Sequence, residues 1–269
     1  LNKVRPVFSY AGGKFKYIDF IKSILPKDYN NYLEPFLGSA SLLLNIPQNS
    51  SNSKSKISKK CIVSDVDELI TTYKNLKSIE CIDKVKLKLE EHFENDSKLY
   101  FYKLRQKISI ENDIDFVAKY LYLRIKSMFS YGFIKGDSYN GNYEYRKINR
   151  KNYIDKIDKF HQCLQDKDID FYSDFLDVLS RAKKNDLIVI DPPYFSEKKS
   201  KDWYINFNKE KQDLLFDYIN KLKDKCYIII FNFKNIDFIN NLKDLGFKEI
   251  HFEKPYSKFK YEETILINY

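Results

Sequence analysis

The stretch that most constrains this chain runs Leu187-Ile188-Val189-Ile190-Asp191-Pro192-Pro193-Tyr194. Four apolar residues, mostly β-branched, suit a strand buried on both faces. The strand must stop at Asp191, because neither Pro192 nor Pro193 can donate a ladder hydrogen bond. Asp191 is thereby presented at the carboxyl end of an inner strand, where open α/β sheets place their ligands. Ionised Asp191 offers only acceptors, and the Pro192 carbonyl faces no competing N–H on Pro193. Tyr194 adds a ring face worth about 1–3 kcal/mol to a stacked base. This set suits a planar ring bearing an exocyclic amine. Two acceptors on the amine hydrogens favour its pyramidal, nucleophilic form by stabilising charge as it develops. The bland alternative is a strand ending in a proline-rich turn with a surface tyrosine.

Glycine is scarce, with seven in the chain, so each position is informative. Tyr10-Ala11-Gly12-Gly13-Lys14 precedes an amphipathic helix carrying Tyr17, Ile18, Ile21, Ile24 and Leu25 at helical spacing. A short strand at Tyr32-Leu33 enters Glu34-Pro35-Phe36-Leu37-Gly38-Ser39-Ala40, followed by a helix from Ser41 to Asn45. Strand, glycine turn and helix open a nucleotide-type βαβ unit, although Ala40 stands where a second glycine is expected. The segment from Pro47 to Lys60 is rich in Ser, Asn and Lys and reads as a loop. The strand Cys61 to Ser64 then ends at Asp65, where such folds bind ribose hydroxyls. A solvent-facing helix cap is the competing role for Asp65.

From about Lys77 to Gln165 the βαβ rhythm gives way to helices over 79–94, 98–108, 113–128 and 152–164. Between the last two, Tyr131 to Lys147 reads as a basic, aromatic hairpin with Asn140-Gly141 as its turn. Tyr131, Lys135, Tyr139, Asn140, Arg146 and Lys147, with Arg124 and Lys126 on the preceding helix, are the candidate nucleic-acid contacts. A helical subdomain with a tyrosine-rich surface loop is the plain alternative. The α/β pattern resumes with strand Ile169 to Tyr172, Ser173-Asp174-Phe175 and a helix over 176–182. After the Asp-Pro-Pro-Tyr strand come helix 209–222, strand 227–231, helix 236–245, strand 248–252 and strand 263–268.

A formal charge of +9 favours a polyanionic partner, though a Lys-, Asn- and Ile-rich composition can produce the same excess. No apolar run approaches the roughly 18 residues of a membrane span, and Leu1 to Pro6 carries no apolar signal region. Cys61, Cys81, Cys163 and Cys226 are scattered, as expected of reduced thiols in a cytoplasmic protein. His92, His161 and His251 lack metal-ligand spacing, so no metal is expected.

Several segments in order resemble the Dam-type (DpnII-like) N6-adenine DNA methyltransferases. Tyr10-Ala11-Gly12-Gly13-Lys14 looks like the family's (W/Y)-A-G-G-K element, and Glu34-Pro35-Phe36-Leu37-Gly38-Ser39 like its E-P-F-x-G motif. Ser64 to Ile70 with Tyr73-Lys74-Asn75 resembles the next strand-to-helix segment, and Asp191 to Tyr194 the catalytic motif. Glu263 to Tyr269 is similar to the closing strand. The resemblance implies a Rossmann-like S-adenosylmethionine methyltransferase sheet with an inserted, mainly helical target-recognition domain. It places catalysis in 1–76 and 166–269 and recognition in 77–165. Asp191, Pro192, Pro193 and Tyr194 would hold an adenine flipped from double-stranded DNA. Tyr10, Lys14, Glu34, Phe36, Gly38, Asp65, Asp174, Phe175 and Asp191 would line the cofactor pocket.

Phe129-Ser130-Tyr131-Gly132 matches only loosely the Phe-Asn-Gly element of GATC-specific members, which leaves the recognition sequence open. The expectation is a cytoplasmic monomer acting on duplex DNA, with a cognate restriction endonuclease acting on the same site. Competing readings are an RNA base or glutamine side-chain methyltransferase, and a non-catalytic nucleic-acid-binding subunit. The former usually carry Asn in place of Asp191 and lack a large insertion.

Overall fold

Side-chain alternation along the strands divides the interior into two cores, one on each face of a single sheet. The computed structural model describes residues 3–10, 12–46, 59–108, 113–128, 132–193, 207–232, 236–250 and 264–269. Its strands are β1 (Tyr32–Glu34), β2 (Cys61–Ser64), β3 (Ile134–Lys135), β4 (Ser138–Tyr139), β5 (Ile169–Tyr172), β6 (Leu187–Ile190), β7 (Tyr227–Asn232), β8 (Lys248–Ile250) and β9 (Thr264–Ile267). The sheet order is β5-β2-β1-β6-β7-β9-β8. β9 runs antiparallel to both neighbours, and the other pairings are parallel. Order reverses between β1 and β6, which creates a crevice at the carboxyl ends of the strands.

The helices are α1 (Ile18–Ser23), α2 (Ser41–Asn45), α3 (Asp67–Lys77), α4 (Ile79–Glu94), α5 (Lys98–Arg105), α6 (Asp113–Lys126), α7 (Arg150–Gln165), α8 (Phe175–Leu179), α9 (Lys209–Leu222) and α10 (Ile236–Asp244). Tyr32, Val63, Leu187, Val189, Ile229 and Phe231 pack on the face covered by α2, α3, α4, α6 and α7. Their neighbours Leu33, Ile62, Ile188, Ile190, Ile228 and Ile230 face α8, α9 and α10. Both faces of β6 are therefore buried, as its unbroken apolar run requires. The helices of 77–165 share a core with one sheet face rather than enclosing a separate one. Among the described residues no helix is long and apolar enough to cross a membrane.

The hairpin is present but its turn is displaced. Lys135 and Ser138 pair across Gly136-Asp137, and Gly136 sits at φ +57°. A glycine at the first central position with positive φ suits a two-residue turn of type II′. Asn140 instead closes the open end: its Oδ1 accepts the Phe133 N–H at 2.8 Å and its N–H donates to the Phe133 carbonyl at 3.0 Å. The side chain that suggested a turn thus pins two strands together. Tyr139 is buried under Gly132, where an added Cβ would lie 2.2 Å from the phenol oxygen. Gly132→Ala should therefore destabilise the fold by about 1–3 kcal/mol through overpacking. Urea unfolding measures this, and an unchanged midpoint would show that the ring is free to move aside.

Candidate active site

Glu34 ends β1, while Asp65 and Asp191 follow β2 and β6 immediately. These are adjacent parallel strands in register, with Glu34 beside Val63 and Leu33 beside Ile188. Continuing the alternation one residue past β2 and β6 puts all three carboxyl groups toward the Tyr32 and Phe231 side of the sheet. The local sequence thus converts three separate strand ends into one acidic cluster.

Lys14 supplies the opposing charge. Its ammonium is 2.7 Å from Asp191 Oδ2, donates to the Gly12 carbonyl at 2.8 Å and lies 5.1 Å from the Phe231 ring centroid. The Lys14 side chain is buried, so this pair acts in a medium of low polarity. The turn that delivers it is closed by the Gly13 N–H donating to the Tyr10 carbonyl at 3.0 Å. Glu34 is also buried and accepts the Tyr32 hydroxyl at 2.8 Å. Burial pushes its carboxyl well above the usual range, with Asp191 and Asp65 adding to the rise.

Asp65 accepts the Gly38 N–H at 2.6 Å and the Val66 N–H at 2.8 Å. Burial raises its carboxyl from 3.8 to about 6 despite these bonds. It is not the cap of α3, since Val66 occupies that position and no side chain caps it. Asp174 does act as a cap, accepting the Leu176 N–H at 2.8 Å at the start of α8. Beside it, Phe36 stacks on Phe175 at 5.3 Å and meets Phe207 edge-on at 5.6 Å.

These groups line a cleft of about 310 Å³. Tyr10, Lys14, Glu34, Phe36, Gly38, Asp65, Asp174, Phe175, Asp191, Pro192 and Pro193 all border it. Tyr194 and Tyr131 lie outside the described residues. The sequence reading missed Glu68, Phe133, Ile134, Phe207 and Lys211, which are among the other lining residues. Phe207 had a usable signal, since it precedes Asn208, the cap of α9. Phe133 and Ile134 had none, because their approach to the cleft depends on how the hairpin folds back.

Three expected nucleic-acid contacts are interior residues, which corrects that expectation. Arg124 is 4% exposed; it donates to the Gly132 carbonyl at 2.6 Å and the Ser9 carbonyl at 3.0 Å, and packs over the rings of Phe8 and Tyr10. Lys126 is 1% exposed, pairs with Asp96 at 2.6 Å and donates to the Arg146 carbonyl at 2.9 Å. Tyr139 is likewise buried, its hydroxyl receiving Ser127 Oγ at 3.1 Å. The physical reason is that α6 buries residues on every side, so its cations serve as internal braces. Lys135, Asn140 and Lys147 are exposed, and Arg146 is half-buried.

The raised Asp65 carboxyl has a consequence for stability. A carboxyl that ionises at 3.8 when unfolded and near 6 when folded costs stability increasingly as pH climbs through that interval. Asp65→Asn removes the charge and keeps one acceptor for the backbone. It should therefore be more stable than the parent at pH 7.5 by on the order of 1–2 kcal/mol, with the advantage gone below pH 4. Urea unfolding of ligand-free protein at both pH values tests the sign; a variant less stable at pH 7.5 would contradict it.

The comparisons with known proteins agree with this architecture. Residues 10–258 match the model of the D12 class N6 adenine-specific DNA methyltransferases. Type II methyltransferase M1.LlaDCHI of Lactococcus lactis subsp. cremoris is 27% identical, over 100% of this chain and 97% of its own. M.CviBI of Paramecium bursaria Chlorella virus NC1A is 26% identical, over 96% and 92%, and the DNA adenine methylase of Salmonella typhi 25%, over 72% and 66%. The competing RNA, glutamine and non-catalytic readings are thereby set aside. The chain belongs to the D12 class of N6 adenine-specific DNA methyltransferases, enzymes that take their methyl group from S-adenosylmethionine.

Proposed function

We propose that one cleft receives both reactants, and that Asp191 is the group they share. The observation that carries this reading is the convergence of Lys14, Glu34, Asp65 and Asp191 at the strand ends beside the aromatic cluster. Asp65, already holding two backbone N–H groups, has lone pairs left to accept ribose hydroxyls. Phe36, Phe175 and Phe207 give an apolar wall for the cofactor's adenine, with Asp174 at its edge. Tyr10, Gly38 and Glu34 form the floor toward the methionine end. The bound cofactor supplies an electrophilic methyl group.

Asp191 and the Pro192 carbonyl accept from the exocyclic amine of the target adenine, while Pro193 and Tyr194 bound its ring. Lys14 engages Oδ2 and so fixes the orientation of the carboxylate that receives the amine. Charge building on the amine nitrogen is then stabilised by fixed acceptors without solvent rearrangement.

In this reading 77–165 is the target-recognition unit and 1–76 with 166–269 the catalytic one. Lys135, Asn140, Arg146 and Lys147 contact duplex DNA, and Tyr131 is assigned the same role. The relatives named as type II methyltransferases support a cognate restriction endonuclease acting on the same site. The four free cysteines suit a cytoplasmic enzyme, and a monomer is the simplest form of it.

Two measurements test these assignments. Asp65→Ala removes charge-assisted bonds of about 1.5–3 kcal/mol, so S-adenosylmethionine affinity by calorimetry should fall ten- to a hundredfold. Unaltered affinity would remove the ribose role. Replacing Lys135 and Lys147 together by Ala should lower the log–log salt slope of duplex binding by about 2. A slope equal to the parent's would exclude the hairpin as a phosphate contact.

A further inference from the structure

Among the described residues Tyr145 is the large hydrophobic side chain most open to solvent, at 91% exposure. Its hydroxyl makes no hydrogen bond and its ring stacks on no other aromatic ring there. A single exposed ring is ordinary on a protein surface. What sets Tyr145 apart is how firmly the chain on either side of it is held.

The Glu144 N–H donates to the Lys126 carbonyl at 2.8 Å, and the Lys126 ammonium donates to the Arg146 carbonyl at 2.9 Å. One buried residue of α6 thus grips both neighbours of Tyr145. Lys126 is fixed in turn by Asp96 at 2.6 Å, which also accepts the Tyr122 hydroxyl at 2.8 Å and the Tyr143 hydroxyl at 3.4 Å. The Met128 N–H on the Asn142 carbonyl at 2.8 Å and the Arg146 guanidinium on the Ile125 carbonyl add to the fastening. Burying an ammonium costs stability, and this one holds a short stretch whose aromatic ring faces water.

Exposed Lys147 follows two residues on, and exposed Lys135 lies on β3 of the hairpin. A ring held outward beside cations meets a polyanion with little backbone freedom left to lose. Every base offers a π-face, so stacking on it needs no particular sequence.

We propose that Tyr145 is a base-stacking residue, its ring set against a base face that the duplex exposes when it opens. This deepens the DNA-binding reading of the hairpin and rests on it. The Lys126–Asp96 pair positions the ring, and the neighbouring lysines hold phosphates.

The test compares Tyr145→Ala and Tyr145→Phe with the parent on a duplex holding the site that the parent methylates. Fluorescence anisotropy across a salt series gives affinity and slope, and 2-aminopurine in place of the target adenine reports base opening. Tyr145→Ala should lose about five- to a hundredfold in affinity at an unchanged salt slope, with a smaller rise in 2-aminopurine fluorescence. Tyr145→Phe, which keeps the ring, should match the parent in all three. The side chain is exposed, so both variants should keep the parent's urea midpoint. Parent-like affinity and fluorescence in Tyr145→Ala would overturn the proposal, as would a Phe variant as weak as the Ala variant, or a reduced slope that marks a phosphate contact. If the Lys135 and Lys147 double variant lowers the slope while Tyr145→Ala matches the parent, the stacking role alone fails. If neither changes anything, the hairpin reading fails with it.

Discussion

Three carboxyl groups at the ends of neighbouring parallel strands must be held together, and the buried ammonium of Lys14 makes that tolerable. Register alone brings Glu34, Asp65 and Asp191 close, and their mutual repulsion is felt most at buried Glu34. The structure relieves it in three ways. Tyr32 donates to Glu34, two backbone N–H groups donate to Asp65, and Lys14 pairs with Asp191. Breaking a buried pair by removing one partner typically costs about 3–5 kcal/mol, because the remaining charge is left uncompensated. The segment that carries Tyr10 and Lys14 is thus as much a part of the cleft as the strand that ends at Asp191.

That segment is also held by a residue of α6. Arg124 reaches from α6 to the Ser9 carbonyl and the Gly132 carbonyl while packing on Tyr10. Phe133 and Ile134, one and two residues beyond Gly132, border the cleft that Tyr10 borders from the other side. The hairpin and the cleft therefore share a wall, and the interior cations of α6 hold it in place. Side chains that look like DNA contacts in the sequence act as internal braces of the hairpin.

The sheet was legible because its signals are local and redundant. Leu187 to Ile190 has the composition of a doubly buried strand, and Pro192 with Pro193 dates its end to the residue. The acids followed from the same logic, each standing where a short apolar run stops. Ala40 stands at a position that favours glycine, and it does adopt φ +60°. Such a conformation costs an alanine about 1–2 kcal/mol, so the turn is imposed by its surroundings. The hairpin was harder. Asn140-Gly141 and Gly136-Asp137 are both sound turn sequences, and only packing of Tyr139 onto Gly132 selects between them. Burial of Arg124 and Lys126 was not readable either, since a charge on an apolar helix has no sequence mark that separates a brace from a ligand contact.

The role proposed for Asp191 is to act on the target amine rather than on DNA affinity. It is tested by single-turnover methylation of duplex DNA by Asp191→Ala, counting N6-methyladenine among the released nucleosides by mass spectrometry and measuring duplex affinity in parallel. Removing a preorganised acceptor from a dry site should slow the chemical step by about a hundred- to a thousandfold or more. Duplex affinity should stay within a few-fold of the parent, since no phosphate contact is lost. A variant that methylates adenine at near the parent rate would contradict the account.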